Sequence, residues 1–113
     1  MNIYIAGPMR GYPQYNFPAF FEAERRLLAA GNRPINPARM DTDAGFVPDV
    51  SPVDEAFMRD AMERDCAAIC QCDGIALLDG WQNSSGVFVE RTLAKFLGLD
   101  VRPLSEWLPT VPE

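Results

Sequence analysis

Asn2-Ile3-Tyr4-Ile5-Ala6-Gly7-Pro8-Met9-Arg10-Gly11 is the stretch from which the fold is read. Residues 2–6 are β-prone and largely apolar, and they stop at Gly7-Pro8, the pattern of a buried strand entering a turn. Residues 7–16 add further Gly and Pro and read as a loop. From 17 to 30 the period changes: Phe17, Phe20, Phe21, Leu27 and Leu28 fall at helical spacings. Asn16 stands at the N-cap position, Pro18 in the first turn and Gly31 at the stop.

The same alternation continues along the chain. Residues 33–36 read as a second strand ending at Pro37. Residues 38–52 carry Asp41, Asp43, Gly45, Pro48, Ser51 and Pro52 without periodicity. They predict the longest loop, the segment best placed to move or to act as a lid. Asp54 to Ile69 is predicted helical, with Phe57, Ala61, Met62 and Ile69 facing inward. Residues 74–78 predict a buried strand, 79–86 a polar loop, Val87 to Phe96 a helix ending at Gly98, and 99–103 a last strand. Pro109 and Pro112 mark a tail. The order β-α-β-α-β-α-β implies a parallel sheet of four to five strands with helices on both faces. The predicted class is α/β, a flavodoxin- or Rossmann-like three-layer sandwich, and its ligands bind beyond the C-terminal strand ends.

The chain has 113 residues, which suits a single domain over 1–113. Hydrophobic residues make up 48% and charged residues 23%, enough for a core without disulfides or a structural metal. A net charge of −6 argues against binding duplex nucleic acid, which calls for a basic stripe. The chain contains no histidine, which removes Ser-His-Asp and Cys-His catalysis and any His-ligated metal site. Acid-base chemistry then falls to carboxylates. The cysteines are Cys66, Cys70 and Cys72, with no other Cys or His to complete a zinc site, and they read as small buried thiols. No signal core and no apolar run of membrane-spanning length is visible, so a cytoplasmic protein without a membrane partner, metal or cofactor is expected.

Three loops gather at the predicted C-terminal edge of the sheet. In the first, Gly7 and Gly11 let backbone approach a ligand, and Arg10 offers a forked donor to a phosphate or carboxylate. A tight turn with an exposed Arg fits equally. Ser84, Ser85 and Gly86 precede a helix and suit an anion cradle, or plain capping. Glu90 follows among apolar neighbours, either a partly desolvated nucleophile or base, or a residue favouring the helix dipole. Asp65 falls on the inner stripe of its helix, where a carboxylate is unexpected. It can join Glu90 in one pocket or pair with an Arg. Trp81, Tyr12 and Tyr15 stand ready to stack on a base or to cover the core edge.

Tyr4-Ile5-Ala6-Gly7-Pro8-Met9-Arg10-Gly11, Asn16-Phe17-Pro18-Ala19-Phe20, Asn36-Pro37-Ala38, Cys72 to Trp81, and Ser84-Ser85-Gly86 with Glu90 together resemble a family of phage and prophage proteins, the DUF4406 type. That family is related to nucleoside 2-deoxyribosyltransferases and to nucleoside 5′-monophosphate N-glycosidases. The resemblance spans roughly residues 2–104. It implies Glu90 as nucleophile at the anomeric carbon, Asp65 assisting, and Tyr4 beside them. It further implies substrate binding by Gly7, Met9, Arg10, Gly11, Trp81, Ser84, Ser85 and Gly86. Arg10 and Ser84 tilt the expected substrate toward a phosphorylated one. The expected activity is cleavage or transfer at the N-glycosidic bond of a nucleotide or nucleoside, in a homodimer or higher homo-oligomer. The alternatives are a non-catalytic module that binds or senses a nucleotide or an ADP-ribose-like ligand, and a structural phage protein.

Overall fold

The structure is a computed structural model and describes residues 1–109; Pro112 of the expected tail lies outside them. Four strands form one sheet: β1 (Asn2–Ala6), β2 (Arg33–Ile35), β3 (Gly74–Leu77) and β4 (Asp100–Pro103). Their order is β2-β1-β3-β4 and every pairing is parallel. Helices α1 (Phe17–Ala29), α2 (Pro37–Asp43), α3 (Glu55–Ile69), α4 (Ser85–Leu97) and α5 (Leu104–Trp107) flank it. The expected three-layer Rossmann-like sandwich is thus observed, with four strands.

The side-chain alternation of β1 divides the core in two. Ile3 and Ile5 point to one face, where they pack with Phe17, Phe20, Ala23 and Leu27 of α1 and with Trp107 of α5. Tyr4 and Ala6 point to the other, among Ile69 of α3 and Val87 and Ala94 of α4. Helices α3 and α4 each start at a capping side chain. Asp54 accepts from the Phe57 N–H at 2.9 Å, and Ser84 accepts from the Val87 N–H at 3.2 Å. Gly98 closes α4 in the left-handed conformation.

Several expectations change. Residues 38–52 are not one loop, because Pro37–Asp43 is helical. The buried Asn36 caps it, its Oδ1 accepting from the Ala38 N–H at 2.9 Å, and Pro37 occupies the first turn. The remainder of the segment is anchored by Phe46, which stacks on Phe57 with ring centroids 4.5 Å apart. Asn16 holds the N-cap position of α1 but makes no capping bond; its Nδ2 donates instead to the Pro8 carbonyl at 2.7 Å. A tight turn with left-handed backbone occupies Pro13–Asn16 and a short 3-10 turn Trp81–Asn83, within the two polar loops. Helix α4 begins two residues earlier than expected, so Glu90 lies beyond its first turn. Leu28 is solvent-exposed, and α5 was not foreseen. Of the three thiols only Cys72 is buried; Cys66 is half-buried and Cys70 exposed. Among the described residues no helix is long and apolar enough to cross a membrane.

Trp107 fixes α5 against the sheet by donating its indole N–H to the Ile75 carbonyl at 2.9 Å. Gly74 makes room for that ring. An added Cβ there would stand 2.6 Å from the indole and 2.7 Å from the Asp100 carbonyl oxygen. Gly74→Ala is therefore expected to cost roughly 1–3 kcal/mol by overpacking, read as a lower Tm with red-shifted Trp emission. An unchanged Tm and spectrum would contradict this packing.

Candidate active site

In the order β2-β1-β3-β4 the chain reverses direction across the sheet between β1 and β3, and the crevice of such a sheet opens there. A cavity of about 130 Å³ lies at this point. It receives Tyr4 from β1, Asp65 from α3 and Glu90 from α4. Tyr4 is fully buried, and its hydroxyl donates to Glu90 Oε2. Asp65 interacts with the same hydroxyl, while its Oδ1 is buried without a hydrogen-bond partner among the described residues.

Three acidic groups packed this closely out of water must retain protons. Burial, and then the charge of Asp65, push the Glu90 carboxyl up to about 8. Burial, and then the charge of Asp41, push the Asp65 carboxyl up to about 7. Burial, with Glu90 next, raises the Tyr4 hydroxyl well above its ordinary value. At neutral pH the two carboxyls therefore share protons, and the two values belong to the pair. Tyr4 donates to Glu90 and also bears on Asp65, and each contact favours the carboxylate form, so the proton is shared across the pair.

Gly7, Met9, Arg10, Ser84, Ser85 and Gly86, all expected at the site, line this cavity. Arg10 is exposed and makes no ion pair among the described residues. Ser85 and Gly86 open α4, where the first backbone N–H groups have no intrahelical acceptor. Gly7 serves packing as well: an added Cβ would stand 2.8 Å from Leu78 Cβ, so the strand ends approach only because none is present. Gly11 and Trp81 stand outside the cavity, unlike the expectation. Gly11 adopts φ +87°, which the turn after Arg10 requires. Trp81 packs on the α4 side of the core, and the Arg91 guanidinium lies 4.4 Å over its ring. Tyr12 also lies outside, against Gly80, whereas Tyr15 lines the cavity. The backbone from Gln14 to Asn16 is left-handed throughout, costly for a bulky side chain, and it turns the Tyr15 ring onto Phe46 at 5.3 Å.

Sequence reasoning missed Asp41. It is 2% exposed, lines the cavity from α2, and pairs with Arg64 at 3.1 Å. The signal was Asn36-Pro37-Ala38, a cap and first-turn proline that place a helix, and hence Asp41, at the end of β2. The half-buried Cys66 also neighbours the site. Burial and then Glu90 push its thiol up, away from the reactive thiolate. Among the described residues no cluster of three Cys, Asp or Glu side chains is arranged to hold a metal ion.

The raised carboxyls carry a stability consequence. A carboxyl that binds its proton more tightly when folded favours folding at low pH. Stability is full below the ordinary values of 3.8 and 4.5, and it is lost as pH rises through about 7 and 8. Glu90→Gln removes the Glu90 share of that loss. The fall in Tm from about pH 5 to about pH 9 should shrink by about 5 °C or more in the variant. Parallel Tm curves for the two proteins would contradict the buried, proton-sharing pair.

Among curated proteins none matches the chain. A family model described as a domain of unknown function, DUF4406, matches residues 1–102, which include every side chain of the cavity. The chain belongs to the DUF4406 family.

Proposed function

We propose that the protein cleaves the N-glycosidic bond of a nucleoside 5′-monophosphate, deoxyribose-containing substrates included. The observation that carries this reading is the buried Tyr4 hydroxyl donating to Glu90 with Asp65 alongside. Glycosidic cleavage needs a nucleophile and a proton donor in one dry pocket, and a proton-sharing carboxyl pair supplies both without histidine. The resemblance to the nucleoside 2-deoxyribosyltransferases and nucleotide N-glycosidases supports the same assignment.

In the first step a Glu90 oxygen attacks C1′ of the sugar and forms a glycosyl ester. The C1′–N bond breaks, and its electron pair leaves with the base, which takes the proton from Asp65. In the second step a water oxygen attacks C1′. Its proton passes to the Asp65 carboxylate, and the bond to Glu90 breaks to restore the free carboxylate. A second base attacking in place of water gives transfer. The Tyr4 hydroxyl holds Glu90 in its attacking position and stabilises its charge as the ester breaks. Arg10 and the α4 N-terminus with Ser84, Ser85 and Gly86 offer the complementary charge for a 5′-phosphate remote from the reacting bond. Phe88 and Phe96 of α4 are 68% and 86% exposed, which favours a homo-oligomer.

Incubation with a panel of nucleoside and deoxynucleoside monophosphates should release free base, detected by mass spectrometry. Glu90→Ala should lower the rate by about 100-fold or more. The kcat/KM profile should peak between the two apparent values of about 7 and about 8, since catalysis needs one proton on the pair. Release of no base from any nucleotide, beside an active control enzyme, would overturn the proposal. Adding a second free base separates transfer from hydrolysis.

A further inference from the structure

Asp41 is a buried charge-bearing group that the reaction above does not use. The lining of the cavity also includes Phe20, Phe57, Met58 and Met62. A carboxylate offers about four lone-pair positions. Only one is used: Arg64 donates a single hydrogen bond to Oδ1 at 3.1 Å, and no other donor reaches Asp41 among the described residues. The pairing is incomplete from the other side too, because Arg64 Nε is buried without a partner. The second oxygen of Asp41 is left open to a further donor.

The topology indicates where that completing group comes from. Helix α2 stands on the end of β2 and α4 on the end of β3, with β1 between them. At about 4.8 Å per strand the two ends lie roughly 10 Å apart. The Tyr4 hydroxyl and its carboxyls occupy the middle. On the nucleotide reading, a phosphate at the start of α4 and a sugar at Glu90 leave the base on the Asp41 side of the cavity, whose lining includes Tyr15, Phe57 and Met58.

We infer that Asp41 is a specificity-determining residue whose open carboxylate oxygen accepts a hydrogen bond from the exocyclic amino group of the substrate base. The inference rests on the nucleotide reading above and narrows it to amino-bearing bases. A carboxylate oxygen accepts and never donates. A base with a carbonyl at the same ring position turns a lone pair toward it and is rejected. Arg64 is a positioning residue that fixes Oδ1 and leaves the other oxygen to the ligand.

The test compares matched pairs that differ in that group, dCMP with dUMP and dAMP with dIMP. The wild type should favour the amino member of at least one pair by about tenfold or more in kcat/KM. Asp41→Asn keeps an acceptor for Arg64 and turns an amide donor to the cavity, so the ratio should collapse toward one or invert. Wild-type ratios within about threefold of one in both pairs would overturn the inference, as would a variant that slows both members equally. The wild-type ratios decide the matter even where the variant fails to fold. If no base is released at all, the glycosidic reading falls, and the inference is then read from thermal stabilisation by the same four nucleotides. Equal stabilisation within each pair, or none by any of the four, would overturn it.

Discussion

The Tyr4 hydroxyl sits at the centre of the second core half, closed off from water, with two carboxyls turned toward it. A phenol in that position must donate somewhere, and Glu90 is the acceptor. That one bond ties the first strand to α4, which follows the third strand in sequence. It also places a carboxylate where burial works against its charge. Asp65 shares the site at a further cost. Protons held at neutral pH limit that cost, because a neutral carboxyl is far less expensive to bury than a charged one.

The surrounding fold supports this arrangement. Parallel pairing puts Tyr4 opposite Ile35 on one side and Ile75 on the other, so its ring is fixed within apolar neighbours. Ile3 and Ile5, on the opposite face, pack with α1 and contribute stability that offsets the polar cluster. The order β2-β1-β3-β4 opens the crevice next to the strand that carries Tyr4. Asp41 adds a carboxylate to the lining on the α2 side, and Arg64 partly offsets its charge from outside the cavity. The result is a pocket with acidic groups in its middle and its cation, Arg10, on the neighbouring loop. Such a layout suits the ligand proposed above, anionic at one end and a hydrogen-bond donor at the other.

Much of this was legible in the sequence, for reasons that differ by residue. The run Asn2 to Ala6 and the run Gly74 to Leu77 read as strands because both are buried on two faces. Glu90 and Asp65 stood out because each is a carboxylate in an otherwise apolar stripe, and burial of such groups is rare. Helix α2 was hidden by its own composition: Asp41, Thr42 and Asp43 look like loop residues, and a seven-residue helix is too short to show periodicity. Its start was written in Asn36 and Pro37, a local capping signal that apolar periodicity does not reflect. Trp81 was misplaced because position on a loop does not say which way a side chain turns. Here the ring found Arg91 and the core in preference to the cavity. The left-handed run at Gln14 to Asn16 has no sequence signature at Tyr15, since a tyrosine adopts that conformation only when tertiary packing imposes it.

The most direct measurement is a carbon-13 NMR titration of the Glu and Asp side-chain carboxyls, with Glu90 and Asp65 assigned from Glu90→Gln and Asp65→Asn. The account predicts two coupled transitions, near 7 and near 8, and the loss of one carboxyl should bring the other down. Glu90 and Asp65 both titrating independently in the ordinary carboxylate range, near 4, would contradict it.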